Sequence, residues 1–229
     1  MKTRIQQGFT LIELLVVITI IAILASLAVP TFAKIQERGN QTKGINNCKQ
    51  IITTLKLYSG DNAGSYPMGK SPAPANANVA FRELFIAGVA DSEAIFGCPS
   101  SDYGGKSGLP DGNIGSSPTY DKALETLENH WATVAGISDS ASGAYPLVWE
   151  CSTDAVWDPS WNADAAGKTI KGRTWSGGKV IIGTNDGSVE ARNCSSSKGA
   201  ALKLKNQGAA TTNLFTTQSS TGLTVLDVL

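Results

Sequence analysis

Surplus charge of either sign is missing from this 229-residue chain, in which 19 Lys and Arg balance 19 Asp and Glu. Zero net charge gives no basis for nucleic-acid binding, which needs a basic face against phosphate. Histidine is almost missing too: His130 stands alone, with no Cys, Asp or Glu at ligand spacing beside it. It reads as an ordinary surface or boundary residue, not a metal ligand. The four cysteines, Cys48, Cys98, Cys151 and Cys194, contain no CxxC pair, which argues against a zinc knuckle or a thioredoxin-type site. There is no glycine-rich phosphate loop, no HExxH and no GxSxG. Glu150, Asp154, Asp158 and Asp164 lie close in sequence, but no motif fixes them as a catalytic pair, and acidic loops are usually solvated. Neither an enzymatic reaction nor a cofactor is expected. Calcium is a weaker option: Asp154, Asp158, Asn162 and Asp164 offer hard oxygen ligands, without EF-hand spacing.

What the chain does have is one long apolar run, "GFTLIELLVVITIIAILASLAVP", Gly8 to Pro30. Phe9 to Val29 forms a helix of roughly 32 Å at ~1.5 Å per residue, enough to cross a bilayer core. A short polar leader, MKTRIQQG, precedes it. A secretory signal would place a small-residue cleavage site after the run with a polar start beyond. The nearest candidate, Ala25-Ser26-Leu27-Ala28, is followed by more apolar residues. A plain signal anchor fits the basic leader and the span, but leaves Glu13 unexplained. An acid inside a span costs ~2.5–3.5 kcal/mol and usually has a partner. Pro30 lacks an N–H and clashes with the preceding turn, so it is expected to break or bend the helix.

These residues carry a resemblance. The order of short leader, Gly8-Phe9 junction, "GFTLIE" with its acid, apolar helix and trailing Pro30 resembles the N-terminus of type IV pilins and type II secretion pseudopilins. The resemblance covers about thirty residues. It implies that a prepilin peptidase cuts between Gly8 and Phe9 and that the new amino terminus on Phe9 is methylated. It further implies a filament built by stacking such helices on an inner-membrane assembly platform, with the head in the periplasm. Glu13 is then an assembly-register residue, its carboxylate neutralising the amino group of an adjacent subunit, since a buried unpaired charge is expensive. Partners are the peptidase, other copies of the chain and related pilin-like subunits. A type II secretion pseudopilin is the favoured identity. A minor type IV pilin for adhesion or DNA uptake, or a tethered carbohydrate-binding or hydrolytic protein, is the alternative.

Beyond the span, "TFAKIQERGNQTKGINNCKQIITTLKLYSG" turns amphipathic. Ile45, Cys48, Ile52 and Leu55 fall on one helical stripe, widened by Ile51 and Tyr58, and Gly60 is a plausible stop. Gly39 and Gly44 weaken the middle. "VAFRELFIAGV" and "DKALETLENHWATV" are predicted as two further helices. "YPLVWEC" is predicted as a strand, and "KVIIGTNDGSVEAR" as a hairpin turning at Asn185-Asp186-Gly187. Val180, Ile182 and Val189 are expected to face the stalk helix, and "GLTVLDVL" to end the chain as a strand. Trp157, Trp161 and Trp175 are expected to cover the sheet rather than form a carbohydrate-stacking patch.

The expected fold is therefore α+β, a long N-terminal helix packed on a small antiparallel sheet. Residues 1–8 form the leader, 9–30 the transmembrane and assembly helix, and 31–229 the stalk and head. The head's "YSGDNAGSYP", "FGCPSS" and "NDGSVEAR" resemble pseudopilin-like proteins of planctomycete and verrucomicrobial bacteria, and the chain departs from them in the insert "VWDPSWNADAAGKTIKGRTW". In an exported protein four cysteines suggest two disulfides, with three connectivities open. Cys48–Cys98 is expected because the "FGCPSS" loop needs an anchor on the stalk, and Cys151–Cys194 because each ends a predicted strand. Four buried free thiols are the alternative.

Overall fold

The computed structural model describes residues 9–98, 110–165, 170–208 and 210–229. A single helix, α1, runs Leu11–Asp61. The chain divides into two units, Met1–Gly39 and Asn40–Leu229. In the first, the apolar side chains of α1 are exposed all round the helix, from Leu11 to Ile35. The few hydroxyls in that stretch are satisfied by the helix itself. Thr19 Oγ1 donates to the Leu15 and Val16 carbonyls, Ser26 Oγ to Ile23 at 2.7 Å, and Thr31 Oγ1 to Leu27. No polar group of these side chains needs water, so the segment suits an apolar medium. α1 continues through Pro30 without interruption, so an open break does not occur there. A proline removes one N–H, and the surrounding turns, rich in Ala and Leu, are good helix formers that continue past it.

In the second unit the expected stripe is the inner face of α1. Cys48, Ile51, Ile52, Leu55 and Tyr58 are buried and Ile45 packs beside them. The helix ends at Asp61, one residue past Gly60, and Ala63 and Gly64 turn the chain at positive φ. The predicted short helix is α2, Ala77–Ile86, capped by Asn76, whose side chain accepts from the Val79 N–H. Phe81 and Phe85 stack against Phe96 at 5.2 and 5.9 Å between ring centres.

Five antiparallel strands form one sheet in the order β4-β3-β2-β1-β5: β1 Trp131–Ala135, β2 Pro146–Glu150, β3 Lys179–Thr184, β4 Val189–Asn193 and β5 Thr224–Leu226. The mixed α+β expectation holds, as do β2, the β3–β4 hairpin with Gly187 at φ 89°, and the terminal strand. Glycine brings helix and sheet together. A Cβ at Gly183 would run into Ile52 Cδ1 and Cys48 Sγ, and one at Gly44 would stand 2.7 Å from Ile181 Cδ1.

Three expectations are corrected. Asp121–Val134 is not a helix: Tyr120, Leu124 and Leu127 sit at positive φ, and Trp131 begins β1. The apolar spacing of that stretch serves a sheet because β1 pairs with both β2 and β5. The face of β3 toward α1 carries Ile181 and Gly183, with Val189 of β4 as expected, whereas Val180 and Ile182 point to the opposite face. That second face is covered by Trp161, Leu204, Leu214 and Phe215 from the Trp-rich insert and the tail. The aromatic residues therefore pack, as expected: Trp161 and Trp175 are buried, and Trp157 meets the Phe215 ring edge-on at 5.3 Å. Finally, His130 is neither surface nor boundary but 1% exposed. Burial, aided by the Arg173 charge, lowers its pKa to about 4.

Candidate functional site

The candidate site is the start of the apolar helix. Gly8, on one side of the expected cleavage, lies outside the described residues; Phe9, on the other, is 75% exposed. Thr10 precedes the first helical residue. Its hydroxyl accepts from the Glu13 N–H at 3.3 Å, while Glu13 Oε2 accepts from the Thr10 N–H at 2.9 Å and the Thr10 hydroxyl at 2.6 Å. This is a reciprocal capping box, which satisfies helix-start N–H groups that lipid cannot. A negative group in the first turn also suits the helix dipole. The signal was present in the sequence as Thr-x-x-Glu at residues 10–13, ahead of an apolar run. The carboxylate is thus engaged within its own chain through Oε2 and exposed.

Residues 3–29 match the family described as the prokaryotic N-terminal methylation motif. The chain carries a pilin-like N-terminus. It is 46% identical over 52 residues to the type IV major pilin protein PilA of Myxococcus xanthus, covering 23% of this chain and 24% of that protein. It is 42% identical over 67 residues to the type II secretion system core protein G of Aeromonas hydrophila, covering 29% of this chain and 46% of the relative. The Vibrio cholerae core protein G is 39% identical over 62 residues, 27% and 42% of the two chains. The matched part of the chain therefore spans less than half the length of these relatives. No solved structure matches it.

In the second unit the expected disulfides do not form: all four cysteines are buried thiols outside any bridge. Cys151 follows β2 and Cys194 follows β4, and β3 lies between those strands. Two strand spacings are about 9–10 Å, beyond the ~7 Å a bridge tolerates. Cys48 Sγ lies against the Val148 carbonyl at 3.8 Å. Cys98 Sγ instead donates to Glu150 at 3.3 Å, with Arg173 Nη2 at 3.9 Å. Burial raises the Cys151 thiol to about 11 and the Cys194 thiol to about 12.

The acids considered from sequence are dispersed rather than paired. Glu150 is a buried structural hub, accepting from Trp175 Nε1 at 2.9 and 3.0 Å and from the Ile181 N–H at 2.7 Å. Burial raises its pKa against the lowering influence of Arg173, whose guanidinium stacks 5.0 Å from the Trp175 ring centre. Asp154 holds Ser160, Asp158 accepts from Asn213, and Asp164 accepts from the Gly199 N–H. Asn162 accepts from the Asp164 N–H. Each closes a different loop contact.

Proposed function

We propose that this chain is a subunit of a pilus-like filament, most closely a type II secretion pseudopilin, and has no enzymatic role. Prepilin peptidase removes residues 1–8 and the new amino group on Phe9 is methylated. The apolar helix anchors the subunit in the inner membrane, with the head in the periplasm, and an assembly platform transfers it into a bundle of like helices. The observation that carries this reading is the helix start. A methylation motif covers residues 3–29, and within it a capped, outward-facing carboxylate opens a helix that is apolar on every side. Cleavage after Gly8 leaves Thr10 in place, so the capping box persists in the mature chain. Glu13 keeps a second carboxylate oxygen to meet a neighbouring amino terminus.

Two measurements test the proposal. Mass spectrometry of the purified protein should find a chain starting at Phe9 with one added methyl group, and electron microscopy should find filaments that depend on Glu13. An intact Met1, a start after Ala28, or normal filaments when Glu13 is neutral would leave the span as a simple tether.

A further inference from the structure

Strand β4 closes the sheet on one side, and part of its outer edge stands open. Hydrogen bonds alternate between the two sides along an antiparallel strand. The Cys194 N–H donates to Gly178 at 2.7 Å, on the β3 side. On the outer side the Asn193 carbonyl accepts from the Lys205 N–H at 2.9 Å, and the Ser195 N–H donates to Lys203 at 2.8 Å. Odd-numbered residues of β4 therefore turn their N–H and C=O outward. Residues 203–205 serve Asn193 and Ser195 as a short antiparallel strand, with Leu204 opposite Cys194, and then leave the edge. Val189 and Ala191 keep outward backbone groups that no hydrogen bond among the described residues reaches. The edge accepts a strand and is served over only part of its length.

Where that segment leaves, a groove of about 250 Å³ opens between residues 190–193 and 204–207. Glu190 and Arg192 share its face, and buried Leu204 and Leu214 line it with apolar surface. Arg192 Nη2 pairs with Glu190, but Arg192 Nε is buried without a hydrogen-bond partner. Lys205 has no ion pair among the described residues. Two cations thus face one carboxylate, and a guanidinium donor left unpaired is costly.

We propose that this edge docks an extended segment of a partner protein, added antiparallel to residues 189–192 with an acidic side chain opposite Arg192. Strand addition supplies main-chain bonds, and alternate side chains supply selectivity. The segment residue paired with Ala191 exchanges both backbone bonds with it. Its predecessor lies opposite Arg192 on the groove face, where its carboxylate meets the guanidinium and Lys205. Its successor lies opposite Glu190 and is best basic, since opposite charges across strands attract and like charges repel. The residue paired with Ala191 turns to the other face, beside half-buried Val189 and Ala191, and is best apolar. The recognised pattern is acidic, apolar, basic. Strand β4 itself reads Glu190-Ala191-Arg192, so a second copy has suitable charges. Paired through Ala191, however, its Val189 would fall opposite Asn193, where Lys205 already sits. The occupant is therefore a strand of a different protein that begins at its acidic residue. This inference goes beyond the filament reading and does not rest on it.

The test uses the full chain in detergent and the peptide acetyl-Glu-Val-Lys-Val with a dye on its terminal amide. Fluorescence anisotropy reads binding and amide NMR shifts locate it. The peptide should bind saturably, and the Val189 and Ala191 amides should shift most. Exchanging its charges, as acetyl-Lys-Val-Glu-Val, should weaken binding about tenfold, because two attractive cross-strand pairs become repulsive. N-methylating its first Val removes the N–H that meets Ala191 and should weaken binding about tenfold or more. Arg192→Glu, at a half-exposed edge position, should cut the charge preference to about twofold. Equal binding of the charge-exchanged or N-methylated peptide overturns the proposal, as does an absence of shifts at Val189 and Ala191. An unchanged preference in folded Arg192→Glu does the same. Shifts there that grow with protein concentration alone would assign the edge to a second copy instead. The peptide comparisons use the unaltered protein, so they decide the matter even where the variant misfolds. No readout involves assembly, so failure here leaves the filament proposal untouched.

Discussion

The two roles open to Glu13, capping its own helix and neutralising a neighbour, predict opposite rankings for two substitutions. Thr10→Ala deletes the hydroxyl of the capping box and leaves the charge. Glu13→Gln keeps an acceptor that completes the box equally well and removes the charge. Loss of an N-cap costs about 0.5–2 kcal/mol, so Thr10→Ala should weaken subunit association at most about thirtyfold at ~1.4 kcal/mol per decade. Removing one partner of a buried ion pair costs about 3–5 kcal/mol, so Glu13→Gln should weaken it by roughly two to three and a half decades. Thr10→Ala cells should therefore still carry filaments, shorter or fewer, and Glu13→Gln cells should carry almost none. Both variants should reach the membrane and be cleaved, as immunoblots of the mature chain would report. Filament length and number per cell by electron microscopy provide the comparison. If Thr10→Ala abolishes filaments while Glu13→Gln leaves them normal, Glu13 serves its own helix alone and the charge-pairing role falls.

Gly183→Ala should lower stability by about 1–3 kcal/mol, because its Cβ meets Ile52 and Cys48; a wild-type melting curve would refute the close helix–sheet approach. All four thiols should react with a maleimide in denaturant without reductant and stay unreactive in the native head, whereas unreactive thiols in denaturant would reveal bridges. His130 has its folded pKa near 4, below the ~6.5 of the unfolded chain. Its contribution is complete above pH 6.5 and declines by roughly 3 kcal/mol as pH falls to 4. Denaturant midpoints for wild type and His130→Gln should therefore converge on acidification, and parallel pH profiles would show that His130 does not titrate with folding.

The features legible in the sequence were those fixed by near neighbours. The stripe from Ile45 to Tyr58 is written at helical spacing, and Asn185-Asp186-Gly187 between two apolar runs specifies its own turn. Strand β1 was misread because the stretch ending in "WATV" has helical spacing. Its fate is decided by β2, about fifteen residues on, and by β5, about ninety residues on. Periodicity could not choose the faces of β3, since Val180, Ile181 and Ile182 are all apolar and both faces are buried. Gly183 held the clue, a residue too small for a strand interior unless something packs closely on it. The disulfide pairing failed for a related reason: strand ends adjacent in expectation are separated by the β3 strand. At the helix start, the Thr-x-x-Glu spacing of residues 10–13 carried a capping-box signal that the reading of Glu13 as an assembly residue passed over.

The last strand has a consequence for how the head is made. Residues 224–226 complete the β1 edge, the Ala77 N–H donates to Asp227, and the Leu127 N–H to Leu229. Lys171 pairs with Asp227 at 2.5 Å, and Phe215 fills the outer face of the sheet. A nascent chain that has reached residue 200 therefore lacks both an edge strand and the cover of one sheet face. Loop closure over such distances makes native pairing slow. The head gains its full set of contacts only once residues 224–229 have joined it, so until then the polypeptide stays loose and threadable. Deleting residues 224–229 would strike the closing step of folding rather than remove a dispensable stretch.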